Sequence, residues 1–218
     1  MAALTICTWR WGTKYGPAYV QRLHDGLRRN MRGPFEFQVF EPEPEDMHLT
    51  RIPGCFARLR MFDRKWQIAR GLDGPIVCLD LDLIVTGPLD DLFAGDEPFK
   101  ILGGANAANP CPYNGSVTMF QAGYRHDIWD DFSLSAASKI AKYEFADDQG
   151  WYWHKLPDAP VWRAGILSGI YAFQKPGWPG GDGLPNGARI VCFPGARDPM
   201  QFAGLPWVKQ HWMGEGRR

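Results

Sequence analysis

The most constraining stretch of the sequence is VCLDLDLIV at residues 77–85, in which seven apolar residues surround two aspartates. A glycine lies shortly before this run and another shortly after it. An apolar run of this length between glycines is typical of a buried strand at the centre of a sheet. Buried carboxylates are costly unless they are paired or bind a cation. We therefore predict a core strand over 75–79 that ends at Asp80 and Asp82.

The first half of the chain alternates between strand and helix patterns. The apolar spacing predicts strands at 4–8, 35–40 and 75–79 and amphipathic helices at 17–31 and 55–70. This order implies parallel strands with right-handed crossovers, and hence an α/β sheet covered on both faces. Ligands of such sheets bind beyond the carboxyl ends of the strands. The loop 8–16 and the aspartate pair both lie at such ends.

The second half is less regular. It predicts strands at 99–102, 116–120 and 189–193, helices at 124–132 and 147–156, and loops at 103–115 and 174–188. The acidic, proline-containing stretch 41–46 predicts a solvated surface loop. The chain has 218 residues without a repeat or a clear linker, so we expect one domain.

Charge and cysteine content exclude several classes of protein. Lysine plus arginine and aspartate plus glutamate both number 24, which gives no general footprint for nucleic acid. The five cysteines are scattered without a C-x-x-C pair, so we expect reduced core residues in a reducing compartment. The N-terminal apolar run is too short for a signal peptide or a transmembrane segment. We expect a cytoplasmic protein, for which a peripheral membrane contact stays open.

The spacing of Asp80 and Asp82 suits a divalent cation. Residues i and i+2 of an extended chain point the same way, so the two carboxylates can converge on one ion. A cation offsets the repulsion between them, and all-oxygen ligation suits Mg²⁺ or Mn²⁺ bound to phosphates. Alternatively, one aspartate caps the following turn and the other forms an ion pair, for which Arg58 is a candidate.

Two enzyme families place Asp-x-Asp directly after a hydrophobic strand. In phosphatases of the haloacid-dehalogenase type the first aspartate is a nucleophile, near the N-terminus and followed by a small residue and threonine. Here the motif lies at residue 80 and continues Leu83-Ile84. The other family comprises the metal-dependent glycosyltransferases of the GT-A fold. The segments FARLRMF (56–62) and PIVCLDLDLIVTGPLDDLF (75–93) resemble glycosyltransferase family eight and its bacterial relatives.

The resemblance extends over most of the chain in the family's order. PYNGSVTMF (112–120) resembles the strand beside the donor sugar, DDQ (147–149) the acceptor-side motif, and residues 5–30 the first strand, loop and helix. It implies a GT-A, Rossmann-like α/β fold with a mostly parallel sheet flanked by helices and an irregular C-terminal acceptor-side region. Residues 1–102 would form the nucleotide-binding half of this single domain and 103–218 the acceptor-side half.

The resemblance implies that Asp80 and Asp82 hold Mn²⁺ or Mg²⁺ and thereby the diphosphate of a nucleotide sugar, a UDP-sugar in particular. Arg58 would contact the diphosphate or fix the first aspartate, since a guanidinium offers bidentate donors to either. The alternative for Arg58 is a surface position on its helix. The acceptor, whether saccharide, lipid or protein, stays open.

The opening loop would hold the nucleotide. Thr8 and Trp9 lie where the nucleoside is expected at the end of the first strand, and Lys14 and Tyr15 would clamp the nucleotide from the loop. The alternative for Lys14 and Tyr15 is ordinary loop polarity.

The catalytic candidates lie in the second half. Asn114 and Gln149 can both donate and accept hydrogen bonds, as sugar hydroxyls require. Asp148 is the candidate carboxylate near the reacting carbon, and Asp147 is expected to cap the following helix. The resemblance implies retention of the anomeric configuration. An inverting enzyme would need a general base.

The C-terminal region departs from the family, which has a His-Gly…Lys-Pro element whose histidine is the third metal ligand. Here Pro194 stands in place of that histidine, and Arg197 or Asp198 stands near the lysine. This departure motivates a further alternative, a non-catalytic relative that binds nucleotide sugars or carbohydrates.

Two arrangements could replace the missing histidine. His211 could fold back as a metal ligand, with Arg197 or Lys209 on the phosphates, or the metal could keep water at that position. The alternative for His211 is a tail histidine packed between Trp207 and Trp212.

Overall fold

The computed structural model describes residues 3–51, 55–105, 111–140 and 147–214. Its strands are β1 Leu4–Trp9, β2 Phe35–Phe40, β3 Pro75–Leu79, β4 Leu83–Val85, β5 Phe99–Gly103, β6 Tyr113–Gln121, β7 Val161–Arg163, β8 Ile170–Ala172 and β9 Ile190–Cys192. The α-helices are α1 Pro17–Asn30, α2 Arg64–Ala69, α3 Asp127–Asp130, α4 Leu134–Ile140, α5 Asp148–Lys155 and α6 Pro206–Val208.

Six strands form the main sheet in the order β2-β1-β3-β6-β5-β7. Strands β2, β1 and β3 are mutually parallel, and β5 is parallel to β7. Strand β6 pairs antiparallel with both β3 and β5, so it alone runs against the other five strands of this sheet. The predicted α/β fold with a mostly parallel sheet flanked by helices is confirmed.

A second sheet of three strands, in the order β4-β9-β8, packs beside the first. Strand β4 begins directly after Asp82, so Asp80-Leu81-Asp82 is the connection between the two sheets. The backbone amide of Asp80 donates to the carbonyl of Ser116 on β6, and the amide of Phe193 donates to the carbonyl of Asp82. Both aspartates are therefore held by their main chain at the junction of the sheets.

Helix α1 forms as the sequence predicts. Pro17 occupies its first turn, where the missing N–H costs nothing, and Leu23 and Leu27 are buried on its inner face. Gly26 allows a close approach to β4, because a Cβ there would lie 3.2 Å from the Cβ of Val85. The helix thus covers the strand that follows the aspartate pair.

The single helix predicted over 55–70 is wrong. The chain forms a 3₁₀ helix, Phe56–Phe62, and then α2, with Asp63 in extended conformation between them. The carboxylate of Asp63 accepts from the amide of Lys65 at 2.8 Å and caps α2. The 3₁₀ winding turns Arg58 inward, where it is only 5% exposed. The alternative of a surface position for Arg58 is therefore wrong, and its predicted contact with the first aspartate is formed.

Two further expectations are corrected. The acidic stretch 41–46 is not simply a solvated loop, since a 3₁₀ helix covers Pro44–Thr50 and Asp46 is 4% exposed. The helix predicted over 124–132 is reduced to Asp127–Asp130. Strands β4, β7 and β8, helices α4 and α6, and the short helices Pro199–Phe202 and Lys209–Met213 were not predicted. The predicted loop 103–115 is wrong at its end, where Tyr113 begins β6, and residues 106–110 of it lie outside the described residues.

The prediction that the cysteines are core residues holds for four of the five. All five are free thiols, and four of them are buried. Within the described ranges, no helix is long and apolar enough to cross a membrane.

We expect Asp63→Ala to lower the free energy of unfolding by about 1 kcal/mol, because it removes the cap of α2 at the break between the two helices. Denaturant titration of purified protein measures this value. The matched control is Asp73→Ala, an exposed aspartate just beyond α2. An equal effect of both substitutions would contradict the capping role.

Candidate functional site

The two aspartates of the sheet junction lie close enough for their charges to interact. Leu81 between them is buried, at 3% exposure, so the side chains on either side of it face the opposite way. Burial raises the pKa of Asp82 to about 7, and the negative charge of Asp80 adds to this. A hydrogen bond from Tyr15 and the charge of Lys14 oppose the rise. The pair therefore carries a repulsion that a bound cation would relieve.

Arg58 bridges two carboxylates from different parts of the chain. Its Nη1 donates to Oδ1 of Asp80 at 2.6 Å, and its Nε donates to Oδ2 of Asp148 at 2.5 Å. Burial opposes the charge of the guanidinium, but the carboxylates outweigh it and hold the pKa of Arg58 above its usual value. Asp148 is 2% exposed, and burial raises its pKa to about 7 against the effect of Arg58. The bridge ties β3 to the start of α5.

Gly115 on β6 provides the space for this bridge. A Cβ at this position would lie 2.2 Å from Nη2 of Arg58 and 3.1 Å from Oδ2 of Asp148. The guanidinium is buried and bound on two sides, so it has no easy way to move aside. Sequence reasoning missed this role of Gly115, because it placed the glycine in the predicted loop 103–115 and no local pattern shows which side chains lie beside it.

The amide side chains beside the bridge are held by the main chain. Asn114 accepts through Oδ1 from the amide of Ser116 at 3.0 Å. Gln149 accepts from the amide of Gly115 at 3.3 Å and donates to Asp147 at 2.7 Å. Asp147 also accepts from the amide of Gly150, which confirms it as the cap of α5. Asn114, Asp148 and Gln149 are thus brought to one place.

The loop between β1 and α1 closes over the aspartate pair. The hydroxyl of Tyr15 donates to Oδ2 of Asp82 at 2.7 Å, and the ammonium group of Lys14 lies 4.6 Å from the Tyr15 ring centroid. Burial and the charge of Asp82 raise the pKa of Tyr15, so this hydroxyl stays protonated at neutral pH. The contact between Tyr15 and Asp82 was not predicted from the sequence.

A cavity of about 370 Å³ lies beside this loop. Its walls are residues 10–13 and 15–17 on one side and Glu41, Pro42 and Met47 on the other. It therefore opens at the carboxyl ends of β1 and β2, where ligands of open α/β sheets bind.

The side chains of Thr8 and Trp9 do not face this cavity. Thr8 is fully buried, and Trp9 stacks on Trp66 with ring centroids 5.6 Å apart inside the core. Trp9 is therefore not placed to stack on a ligand in this cavity. Trp11, two residues later, is the tryptophan that lines the cavity. The sequence pattern ended the first strand at residue 8, whereas β1 continues through Trp9. Trp9 is therefore part of the strand, and Trp11 lies in the loop beyond it.

The C-terminal candidates lie on the segment that follows β9. Asp198 caps the helix Pro199–Phe202 and accepts from the hydroxyl of Tyr19 at 2.8 Å. Arg197, one residue earlier, is half-buried. The carbonyl of His211 accepts from Arg29 at 2.5 Å, which ties this segment to α1.

No three side chains of histidine, cysteine, aspartate and glutamate in the described ranges form a group able to hold a metal ion. His211 is accordingly not brought together with Asp80 and Asp82 as the third member of such a group. The two aspartates by themselves still fit Mg²⁺ or Mn²⁺. Arg58 uses Oδ1 of Asp80 and Tyr15 uses Oδ2 of Asp82, so each carboxylate has a second oxygen outside these contacts. Mg²⁺ is commonly held by one or two carboxylates, with water and substrate phosphates completing its shell.

Comparison with solved structures identifies the fold. An active-site mutant of LgtC superposes with a TM-score of 0.60 at 12% identity, covering 89% of each chain. The glycosyltransferase GlyE of Streptococcus pneumoniae gives 0.59 at 14% identity, covering 98% of this chain and 64% of its own. A glycosyltransferase involved in glycosylation of the PBCV-1 major capsid gives 0.53 at 14% identity, covering 90% and 95%. This chain shares their fold.

Sequence comparison adds nothing to this finding. No family model matches the chain, and no curated protein matches it.

We expect Gly115→Ala to destabilise the protein by about 1–3 kcal/mol, because its Cβ would overlap a guanidinium that two carboxylates hold in place. Thermal and denaturant unfolding measure the effect. Gly183→Ala is the control, since a Cβ there meets nothing within 4 Å and its backbone needs no positive φ. Equal stability of the two variants would show that Arg58 is free to move.

The raised pKa of Asp148 predicts a pH-dependent stability. The folded chain holds this proton up to about pH 7, whereas the unfolded chain releases it near pH 4. The contribution of Asp148 to the free energy of unfolding is therefore complete below about pH 4 and is lost as the pH rises through about 7. We expect Asp148→Asn to lack this contribution. The difference in free energy of unfolding between the variant and wild type should therefore change by up to about 1.4 kcal/mol per pH unit between about pH 4 and about pH 7.

Denaturant unfolding at a series of pH values measures this difference. Asp158→Asn, at an exposed position just after α5, is the control and should keep the wild-type pH dependence. If Asp148→Asn parallels wild type over the whole range, Asp148 is ionised in the folded protein throughout.

Proposed function

We propose that this chain is a metal-dependent glycosyltransferase that moves a sugar from a nucleotide-diphosphate sugar, a UDP-sugar in particular, to a saccharide, lipid or protein acceptor. One observation carries the proposal. At the carboxyl end of β3, Arg58 joins Asp80 to Asp148, while Asp82 and Tyr15 connect the same point to a cavity at the ends of β1 and β2. The fold shared with glycosyltransferases supports this assignment.

The donor side of the site would be built from Asp80, Asp82 and the opening loop. The two aspartates would hold Mn²⁺ or Mg²⁺, and the ion, when bound, offsets the charge that develops on the departing diphosphate. The cavity of about 370 Å³ has the size of a small-molecule site and would take the nucleoside. Lys14 is exposed beside Tyr15 and would add a positive charge toward the phosphates. Arg197 is proposed for the same role from the C-terminal side.

The acceptor side would be built from Asn114, Asp148 and Gln149. The main chain occupies the carbonyl oxygen of Asn114, which leaves its amide group to donate to a sugar hydroxyl. Gln149 uses both ends of its amide on Gly115 and Asp147, so it would hold the shape of the site. Asp148 is buried against Arg58 and would act through Arg58 on Asp80. A base this deeply buried is poorly placed to activate an acceptor, which favours retention of configuration.

The rival hypothesis of a phosphohydrolase has weaker support. Asp80 would have to attack phosphorus as a nucleophile, yet its carboxylate is held by a guanidinium that lowers its nucleophilicity. The hypothesis of a non-catalytic relative draws on the lack of a third grouped metal ligand in the described ranges. The phosphohydrolase and the non-catalytic relative each predict different results in the following experiments.

We expect UDP to raise the melting temperature only when Mn²⁺ is present, because ligands that bind the folded state stabilise it. Asp80→Asn and Asp82→Asn should each abolish this shift. Asp96→Asn, at an exposed position, is the matched control and should keep it. If no nucleotide diphosphate stabilises the wild-type protein with Mn²⁺, the proposed function is wrong.

Turnover separates the remaining hypotheses. Release of UDP from UDP-sugars with a panel of acceptors should depend on Mn²⁺ and fall by roughly a hundredfold or more in both aspartate variants. Metal-dependent UDP binding without turnover over a broad panel would support the non-catalytic relative. A stable aluminium fluoride complex at Asp80 would support the phosphohydrolase.

A further inference from the structure

We infer that Tyr15 is a positioning residue that couples the nucleoside cavity to the metal carboxylate, so that metal and nucleotide each bind more tightly when the other is present. This inference rests on the proposed function and goes beyond it. It assigns the link between the two halves of the donor site to one side chain.

The position of Tyr15 is the first observation. Tyr15 is one of the residues that line the cavity, and its hydroxyl donates to Oδ2 of Asp82 at 2.7 Å. A single half-buried residue therefore contacts both the space for a nucleoside and one of the two candidate metal ligands. A ligand that packs against the Tyr15 ring will limit the motion of its hydroxyl group. Because this hydroxyl binds Asp82, the motion of that carboxylate is then limited as well.

The surroundings of Tyr15 support a fixed orientation. Its ring centroid lies 5.1 Å from that of Tyr19, whose own hydroxyl is bound to Asp198. Lys14 lies over the ring of Tyr15. The ring is thus held on one side by Tyr19 of α1. Such a wall transmits the presence of a ligand more effectively than a freely rotating loop side chain.

The effect on Asp82 follows from carboxylate geometry. A carboxylate bound through one oxygen has few orientations left, so its second oxygen is presented to a cation at a lower cost in conformational freedom. A nucleotide that holds Tyr15 in place will therefore strengthen metal binding. By linkage, the metal strengthens nucleotide binding by the same factor.

The experiment measures this coupling factor directly. Binding of Mn²⁺ is followed by electron paramagnetic resonance with and without uridine, which has no phosphate and cannot bridge to the metal. Binding of uridine is followed by calorimetry with and without Mn²⁺. In wild type we expect each ligand to strengthen the binding of the other. In Tyr15→Phe the coupling factor should be roughly tenfold smaller, which corresponds to the loss of one hydrogen bond to a charged group.

Tyr19→Phe is the matched control. It removes a tyrosine hydroxyl bound to an aspartate on the neighbouring side chain, but one that does not contact Asp82. It should keep the wild-type coupling factor, and the melting temperatures of both variants show whether either has lost general stability. Coupling in Tyr15→Phe equal to that of wild type would overturn the inference. That outcome requires a wild-type protein that binds both Mn²⁺ and uridine. If the proposed function is wrong, wild type binds neither ligand, so the two failures can be told apart.

Discussion

The structure of the site depends on one buried cation. Arg58 is almost fully removed from water, which is costly for a charge unless partners replace the lost hydration. Two carboxylates do so, Asp80 from the end of β3 and Asp148 from the start of α5. Because these carboxylates come from different halves of the chain, the guanidinium joins the halves at the point where the chemistry is proposed. Removal of Arg58 would leave the carboxyl group of Asp148 buried without its ion-pair partner.

The junction between the two sheets explains how charge is tolerated there. Asp80 and Asp82 lie in the short connection between β3 and β4, with their main chains bound to β6 and to the residue after β9. Apolar strands on both sides bury the backbone, while the two carboxylates face Arg58 and Tyr15. Gly115 leaves the space that the guanidinium needs. Packing of the sheets, ion pairing and the absence of one side chain are thus parts of the same arrangement.

The residues that sequence reasoning placed well are those with local signals. Periodicity and the position of Pro17 defined α1, and the apolar runs defined β1, β2 and β3 to within a residue. Asp147 was identified as a cap because capping depends on the next few residues only. The prediction of a single helix over 55–70 was wrong because the local signal was ambiguous there. Its apolar spacing suited both α and 3₁₀ winding, and the choice between them depends on partners that are distant in sequence.

The sequence by itself determined β1, α1, β2 and β3 and their order. It also determined that two aspartates must leave a core strand at its end, because burial of unpaired charge is unfavourable. The sequence named Arg58 as a candidate partner for one of those charges, and the structure forms its contact with Asp80. Only the tertiary structure decided what else meets there. Arg58 turned inward toward Asp148, ninety positions away, Trp11 rather than Trp9 came to line the cavity, and Tyr15 reached Asp82. These contacts join residues far apart in the chain, and no local pattern records them, since their free energy arises only when the sheets and helices bring the partners together.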